Sequence, residues 1–277
     1  NAAISITDRT LYGVRAFSAS AATIVGSSGI ILKTTNSGTN WALQSSGTNS
    51  NLMAIAMASS TFGFIAGDIA IMLKTSDGSA WKSQTQALGV TLVDLAVSPV
   101  TTSIRWAVGG NGLVLKTIDS GVTWFGITSP VVGGSFLAVA ANSDSVLWIA
   151  SASGVVYKST DGGTTWSTQT TGISTSIHTI KALSSSFVAA AGASGTVITT
   201  TNGGTIWTTV PTGSSADLYG FDTASNEAAW VGGTATAWVV GSSGTIRKTT
   251  NSGATWSAQT NVKDTLGADL TITNRTL

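Results

Sequence analysis

The sequence predicts an all-β fold, a six-bladed β-propeller of four-stranded antiparallel blades, with seven blades as the alternative. Three observations predict it. First, the turn [Ser/Thr]-x-[Asp/Asn]-x-Gly-x-x-Trp recurs along the 277 residues, at Asn36 to Trp41, Asp119 to Trp124, Asp161 to Trp166, Asn202 to Trp207 and Asn251 to Trp256. A sixth copy, Asp77 to Trp81, is one residue shorter. Second, successive turn tryptophans lie 40, 43, 42, 41 and 49 residues apart, and a period near 40 built from short β runs is the spacing of propeller blades. Third, runs such as Ile30, Ile31, Leu32 and Leu113, Val114, Leu115 are apolar at consecutive positions. Both faces of such a strand must be covered, as they are when each blade packs between two others.

The blades follow in order as one domain over 1–277. The first spans approximately 11–47. In the second, 52–87, the runs 52–58, 62–67, 70–76 and 81–85 are of strand length and are separated by Ser, Thr, Gly and Asp. The third (92–129), fourth (136–171) and fifth (177–212) repeat that order. The sixth, 218–262, is longer by about eight residues, and 228–233 and 237–241 read as a doubled second strand. Trp230 and Trp238 there are the aromatic residues the repeat explains least; packing on an extended hairpin is the expectation, and a partner contact the alternative. The terminal segments 1–10 and 263–277 share a second repeat, ITDRTL at 6–11 and ITNRTL at 272–277. Three readings stay open for it: the start of a further unit, a strand closing the ring, and a homo-oligomer paired through terminal strands.

The recurring turn has a mechanical reading. The Asp or Asn oxygen accepts backbone N–H groups two residues on, the Ser or Thr hydroxyl braces the loop, and Gly supplies positive φ. The tryptophan then opens the fourth strand, covers apolar area, and offers its indole N–H to a backbone acceptor. Six cation sites would be the functional reading, but three copies carry Asn and a lone carboxylate is too little for calcium. Asn36, Trp41, Asp77, Trp81, Asp119, Trp124, Asp161, Trp166, Asn202, Trp207, Asn251 and Trp256 are therefore structural, and no metal or cofactor is expected. The five Lys residues before the turns, Lys33, Lys74, Lys116, Lys158 and Lys248, read as solvated strand-end charges, and glycine-rich segments such as 109–112 as β-turns.

Composition narrows the partners. Charged residues are 9% of the chain and net charge is +1, which leaves no electrostatic case for nucleic acid or an anionic membrane. Without cysteine there are no disulfides, thiolate metal sites or thiol nucleophiles. No apolar stretch is long enough to insert in a bilayer as a helix. The Thr, Ser, Asn and Gly richness suits a secreted, cell-surface or particle-associated protein.

These turns resemble Asp-boxes, the bacterial neuraminidase repeat. The fuller pattern Gly-x-x-Gly-x-hydrophobic-x-Lys-Thr-x-Asp-x-Gly-x-x-Trp, carried best by 26–41, 109–124 and 241–256, is similar to the repeats of photosystem II assembly factors and their bacterial relatives. The resemblance implies a propeller with each box between the third and fourth strands of a blade. It implies no single function, because the repeat also occurs in sialidases, xyloglucan hydrolases and receptor ectodomains.

In a propeller the first strand of each blade lines the central channel. Aligning 11–15, 52–56, 92–96, 136–140, 177–181 and 218–222 puts Arg15, Ala56, Ala96, Ala140, Lys181 and Asp222 at the fifth position. Tyr12, Met53, Val93, Leu137, His178 and Tyr219 fall at the second. The charged and aromatic members come from blades five, six and one, which predicts a ligand or partner-binding cluster of Arg15, Lys181, Asp222, Tyr12, Tyr219 and His178. A salt-bridged cluster with no binding role is the alternative. The sialidase resemblance does not extend to chemistry: there are five arginines, one Glu at Glu227, and no Phe-Arg-Ile-Pro segment before the first box. A glycosidase of another kind needs two carboxylates, for which Asp94 and Asp222 are the candidates. His178 is the only histidine, so no metal cluster or Ser-His-Asp triad is assembled without it. The expectation is a noncatalytic scaffold that binds protein or glycan, or builds an extracellular assembly. A carbohydrate-active hydrolase and a photosystem assembly-factor-like chaperone are the alternatives. For the last, only Arg15 and Arg105 stand near a plausible arginine face.

Overall fold

The computed structural model describes residues 10–84, 89–223 and 227–259. The chain is an all-β, six-bladed β-propeller: each blade is a four-stranded antiparallel sheet whose strands pair in chain order. The first strands are Leu11–Ala16, Leu52–Met57, Leu92–Val97, Phe136–Ala141, Ile177–Ala182 and Leu218–Thr223. Second strands such as Gly63–Gly67, Arg105–Gly109 and Leu147–Ser151 have every residue buried, the burial on both faces that consecutive apolar residues require. Fourth strands are only two or three residues long. Short edges of this kind limit unwanted strand pairing.

Three blades fall in each of two compact units, one comprising Asn1–Val97 with Thr102–Gly126 and the other Ser98–Thr101 with Ile127–Leu277. In the first unit, Val25 and Ile31 of blade 1 pack against Leu52, Ile65 and Leu73 of blade 2. Phe64, Ala66 and Met72 on the opposite face of blade 2 then meet Leu92, Leu95, Ala107 and Leu115 of blade 3. The second unit is built alike, with Trp148, Ala150 and Val156 against Ile177, Ile180 and Ile198, and Ala189, Ala191 and Val197 against Leu218, Phe221 and Val239.

Each Asp-box is a hydrogen-bonded knot between third and fourth strands. In all six, the Ser or Thr hydroxyl donates to the Asp or Asn Oδ1 at 2.7 to 3.1 Å. The same hydroxyl accepts the box glycine's N–H at 2.8 to 3.0 Å. Oδ1 takes the backbone N–H four residues on in all five full-length boxes, and in the two Asp boxes also the one three residues on, as from Thr164 to Asp161, further along the turn than the sequence predicts. Five boxes place two successive residues in the left-handed region, such as Ser120 at φ 61° and Gly121 at φ 72°. The shortened box uses Gly78 alone, at φ 72°, which accounts for its missing residue. A Cβ on Gly121 would lie 2.2 Å from Phe64 of the preceding blade, so this glycine is required by packing as well as by φ.

Three expectations need correction. The indole N–H finds a backbone acceptor only at Trp166, which donates to Thr128 O at 2.8 Å; Trp81 donates to the Gln44 side chain, and Trp124, Trp207 and Trp256 leave Nε1 buried without a partner. The lysines are not freely solvated. Lys33 and Lys158 donate at 2.8 Å to Gly78 O and Gly203 O in the box of the next blade. Lys74, Lys116, Lys158 and Lys248 lie over the rings of Phe64, Trp106, Trp148 and Trp238, each its cross-strand partner in register. In blade 6 the doubled second strand does not form: Glu227–Val231 is one helical turn and only Ala237–Gly241 is a strand. Trp230 packs as expected, buried against Phe187 at 5.0 Å and Phe221 at 6.1 Å. The 109–112 segment contains a 3-10 turn, Gly110–Gly112. The terminal repeat lies outside the described residues.

Candidate functional site

Within each unit the first strands of successive blades lie side by side, as the channel-lining role requires. Every first strand also carries a β-bulge that the sequence does not announce. The register passes from Leu11 to Gly13, Leu52 to Ala54, Leu92 to Asp94, Phe136 to Ala138, Ile177 to Thr179 and Leu218 to Gly220. The skipped residues are Tyr12, Met53, Val93, Leu137, His178 and Tyr219, the same second positions singled out in the alignment. A bulged residue is the unpaired one of its strand, and bulges re-aim side chains.

In the second unit the predicted residues come together. His178 and Tyr219 stack, with ring centroids 4.9 Å apart and planes at 21°, the offset geometry that aromatic pairs favour. His178 Nδ1 donates to Leu218 O at 3.1 Å; because a carbonyl only accepts, the proton of this bond belongs on Nδ1, and Nε2 is the ring nitrogen outside it. Three residues further along the same two strands, Lys181 forms an ion pair with Asp222 Oδ1, and that oxygen also accepts Thr223 N at 2.8 Å. The carboxylate is largely exposed, with 73% of the side chain accessible. An exposed pair contributes only about 0 to 1 kcal/mol, so a ligand can replace either half of it at little cost. Tyr219, 42% exposed, completes a strip with an aromatic platform at one end and opposite charges at the other.

In the first unit Tyr12 is exposed on its bulge, and Arg15, opposite Thr23, lines a pocket of about 180 Å³ with Ile55, Ala56, Met57, Leu95 and Val97. Asp94, a glycosidase candidate, has its Oδ1 engaged by Leu95 N at 2.8 Å. Arg105 does not belong to any exposed face: it is 1% accessible, between Phe62 and Phe64 with Cζ 4.7 and 5.0 Å from the ring centroids. None of its three side-chain nitrogens has a hydrogen-bond partner, and burial pushes its pKa down to about 10. Among the described residues no group of three or more His, Cys, Asp or Glu is placed to hold a metal ion.

Repeated Asp-boxes, four-stranded blades and bulged inner strands define an Asp-box β-propeller. The chain matches the family described as Photosynthesis system II assembly factor YCF48 over residues 41–237, and it belongs to that family. Among solved structures it is similar to YCF48 bound to D1 peptide, with a TM-score of 0.70, 15% identity, and 90% of this chain and 80% of that chain covered. YCF48 from Cyanidioschyzon merolae gives 0.68 at 14% identity, covering 91% and 85%. The Niastella koreensis GH74 enzyme gives 0.60 at 16% identity, covering 91% of this chain but 47% of that one. No curated protein matches the chain.

Proposed function

We propose that this chain is a noncatalytic docking platform that holds an extended segment of a protein partner across the inner strands of blades five and six. The observation that carries the reading is the His178 and Tyr219 stack beside the Lys181 and Asp222 pair. The stacked rings cover an apolar stretch, while Nε2 of His178 and the Tyr219 hydroxyl offer hydrogen bonds at its edge. Lys181 and Asp222 meet charges of either sign. Support comes from the likeness to YCF48 bound to D1 peptide, and a secreted, cell-surface or particle-associated setting is part of the proposal.

A fluorescein-labelled D1 peptide and a xyloglucan oligosaccharide, titrated in parallel and followed by anisotropy and calorimetry, test it. The expected outcome is peptide binding that weakens about tenfold, or 1.4 kcal/mol, in Tyr219→Ala and His178→Ala, with no release of reducing sugar from xyloglucan. Equal peptide affinity in both variants, or turnover of the glycan, overturns it.

A further inference from the structure

Arg15 is the charged inner-strand residue that the peptide site of blades five and six leaves out. Lys181 and Asp222 satisfy each other, whereas among the described residues Arg15 makes no ion pair. Its side chain is exposed, so the planar fork of guanidinium N–H donors is free to meet a ligand. Three adjacent first strands build the pocket of about 180 Å³ that Arg15 lines: its own in blade 1, that of blade 2 through Ile55, Ala56 and Met57, and that of blade 3 through Leu95 and Val97. Ala56 holds the position equivalent to Arg15 in the next blade, and its short side chain leaves space that a second long one would fill. Ala56, Met57 and Leu95 are buried, so packing fixes the floor. Opposite Met57 stands Gly63, where a Cβ would collide with the Met57 sulfur, and this glycine thereby seats the thioether.

The chemistry of the walls selects the ligand. Apart from Arg15, every lining side chain is hydrocarbon or thioether, so the guanidinium is the only side-chain donor and the other polar groups are main-chain. None of the lining residues is a carboxylate. The group that answers a planar fork of donors is a carboxylate, which takes two parallel N–H bonds. The rest of the ligand must be uncharged, because no lining side chain offers a partner to a second charge. At a share of roughly 30 Å³ per water-sized group, the space takes about six non-hydrogen atoms, the size of a small branched carboxylic acid.

We propose that this pocket binds a small aliphatic monocarboxylate, with the carboxylate on Arg15 and the hydrocarbon end against Met57 and Leu95. The site is separate from the peptide-binding reading, since none of its residues is His178, Tyr219, Lys181 or Asp222, and either can fail without the other.

The chain's three methionines, Met53, Met57 and Met72, supply the test, because only Met57 lines the pocket. Isotope-labelled methionine methyl groups are followed by NMR while isobutyrate is added at constant ionic strength, with isobutyramide as the uncharged analogue of the same shape. A saturable shift of the Met57 methyl with isobutyrate, in the millimolar range, is expected, together with a still Met72 and no response to isobutyramide. Arg15→Gln is expected to weaken isobutyrate binding about tenfold, the worth of a hydrogen bond to a charged group. Arg15→Lys is expected to fall between, since it keeps the charge and loses the fork. A Met57 signal that does not move, an equal shift with isobutyramide, or equal affinity in Arg15→Gln overturns the proposal. Arg15 is exposed and Met72 is fully buried, so an unchanged Met72 signal in each variant shows that the blade beneath the pocket is intact.

Discussion

Asp161 shows how a single side chain is tuned by its box. Hydrogen bonds from the Thr165 hydroxyl, then Thr165 N, lower its pKa from 3.8 to about 2. The Thr123 hydroxyl acts the same way on Asp119, and the Ala80 N–H on Asp77. A carboxylate depressed by folding stabilises the fold fully above its unfolded pKa of 3.8 and loses that contribution as pH falls toward about 2. Asn251 makes the equivalent bonds without a charge, accepting Thr255 N and donating from Nδ2 to the Thr255 hydroxyl. Asp161→Asn is therefore expected to leave Tm at neutral pH nearly unchanged and to flatten its fall between pH 4 and 2, as read by thermal melts across pH. Arg105 points the other way. Leu147 and Val188 hold its place in the next two blades, and an unpaired buried guanidinium pays for desolvation that only ring contacts with Phe62 and Phe64 offset. Arg105→Leu is expected to raise stability by about 1 kcal/mol, a gain of the kind seen when buried charge is replaced by packed apolar groups, measured by urea denaturation. A loss of stability would show that the ring contacts outweigh burial.

At the scale of elements, the rung formed by a second-strand aromatic and a third-strand lysine recurs in four blades. Blade 4 illustrates it. Trp148 is fully buried, meets Lys158 Nζ at 4.7 Å, and is edge-on to the box residue Trp207 of blade 5 at 6.0 Å. Removing it opens a cavity and strips the partner box of its floor. Trp148→Ala is expected to cost about 3 to 5 kcal/mol in chemical denaturation. Blade 5 lacks both members, carrying Ala189 opposite Thr199, and there Phe187 instead stacks on Trp230. The helical turn that supplies Trp230 thus takes over a packing duty that the lysine and aromatic pair performs elsewhere.

At the scale of the whole molecule, the blades were legible because the box tryptophans mark their spacing and because the buried strands carry apolar residues at consecutive positions. The inner-strand alignment was legible for the same reason, and it brought His178 to Tyr219 and Lys181 to Asp222. What escaped the sequence depends on partners remote along the chain. The burial of Arg105 is decided by Phe62 and Phe64, some 40 residues earlier, and the lysines looked solvated because their acceptors sit one blade further on. The 227–231 turn was misread because Ala-Trp-Val with two glycines repeats the strand signal of 237–241 almost letter for letter, while alternation over five residues cannot separate strand from helical turn.

The inner-strand bulges carry a consequence for how such a molecule diversifies. Because the bulged residue is left out of the ladder, its identity is decoupled from the scaffold, and the six slots can be filled independently of blade pairing. Tyr12, His178 and Tyr219 already bring polar aromatic chemistry to three of them, whereas Met53, Val93 and Leu137 hold the rest with plain hydrocarbon or thioether. Those three are the vacant addresses at which new recognition can be grafted while the propeller beneath them stays the same.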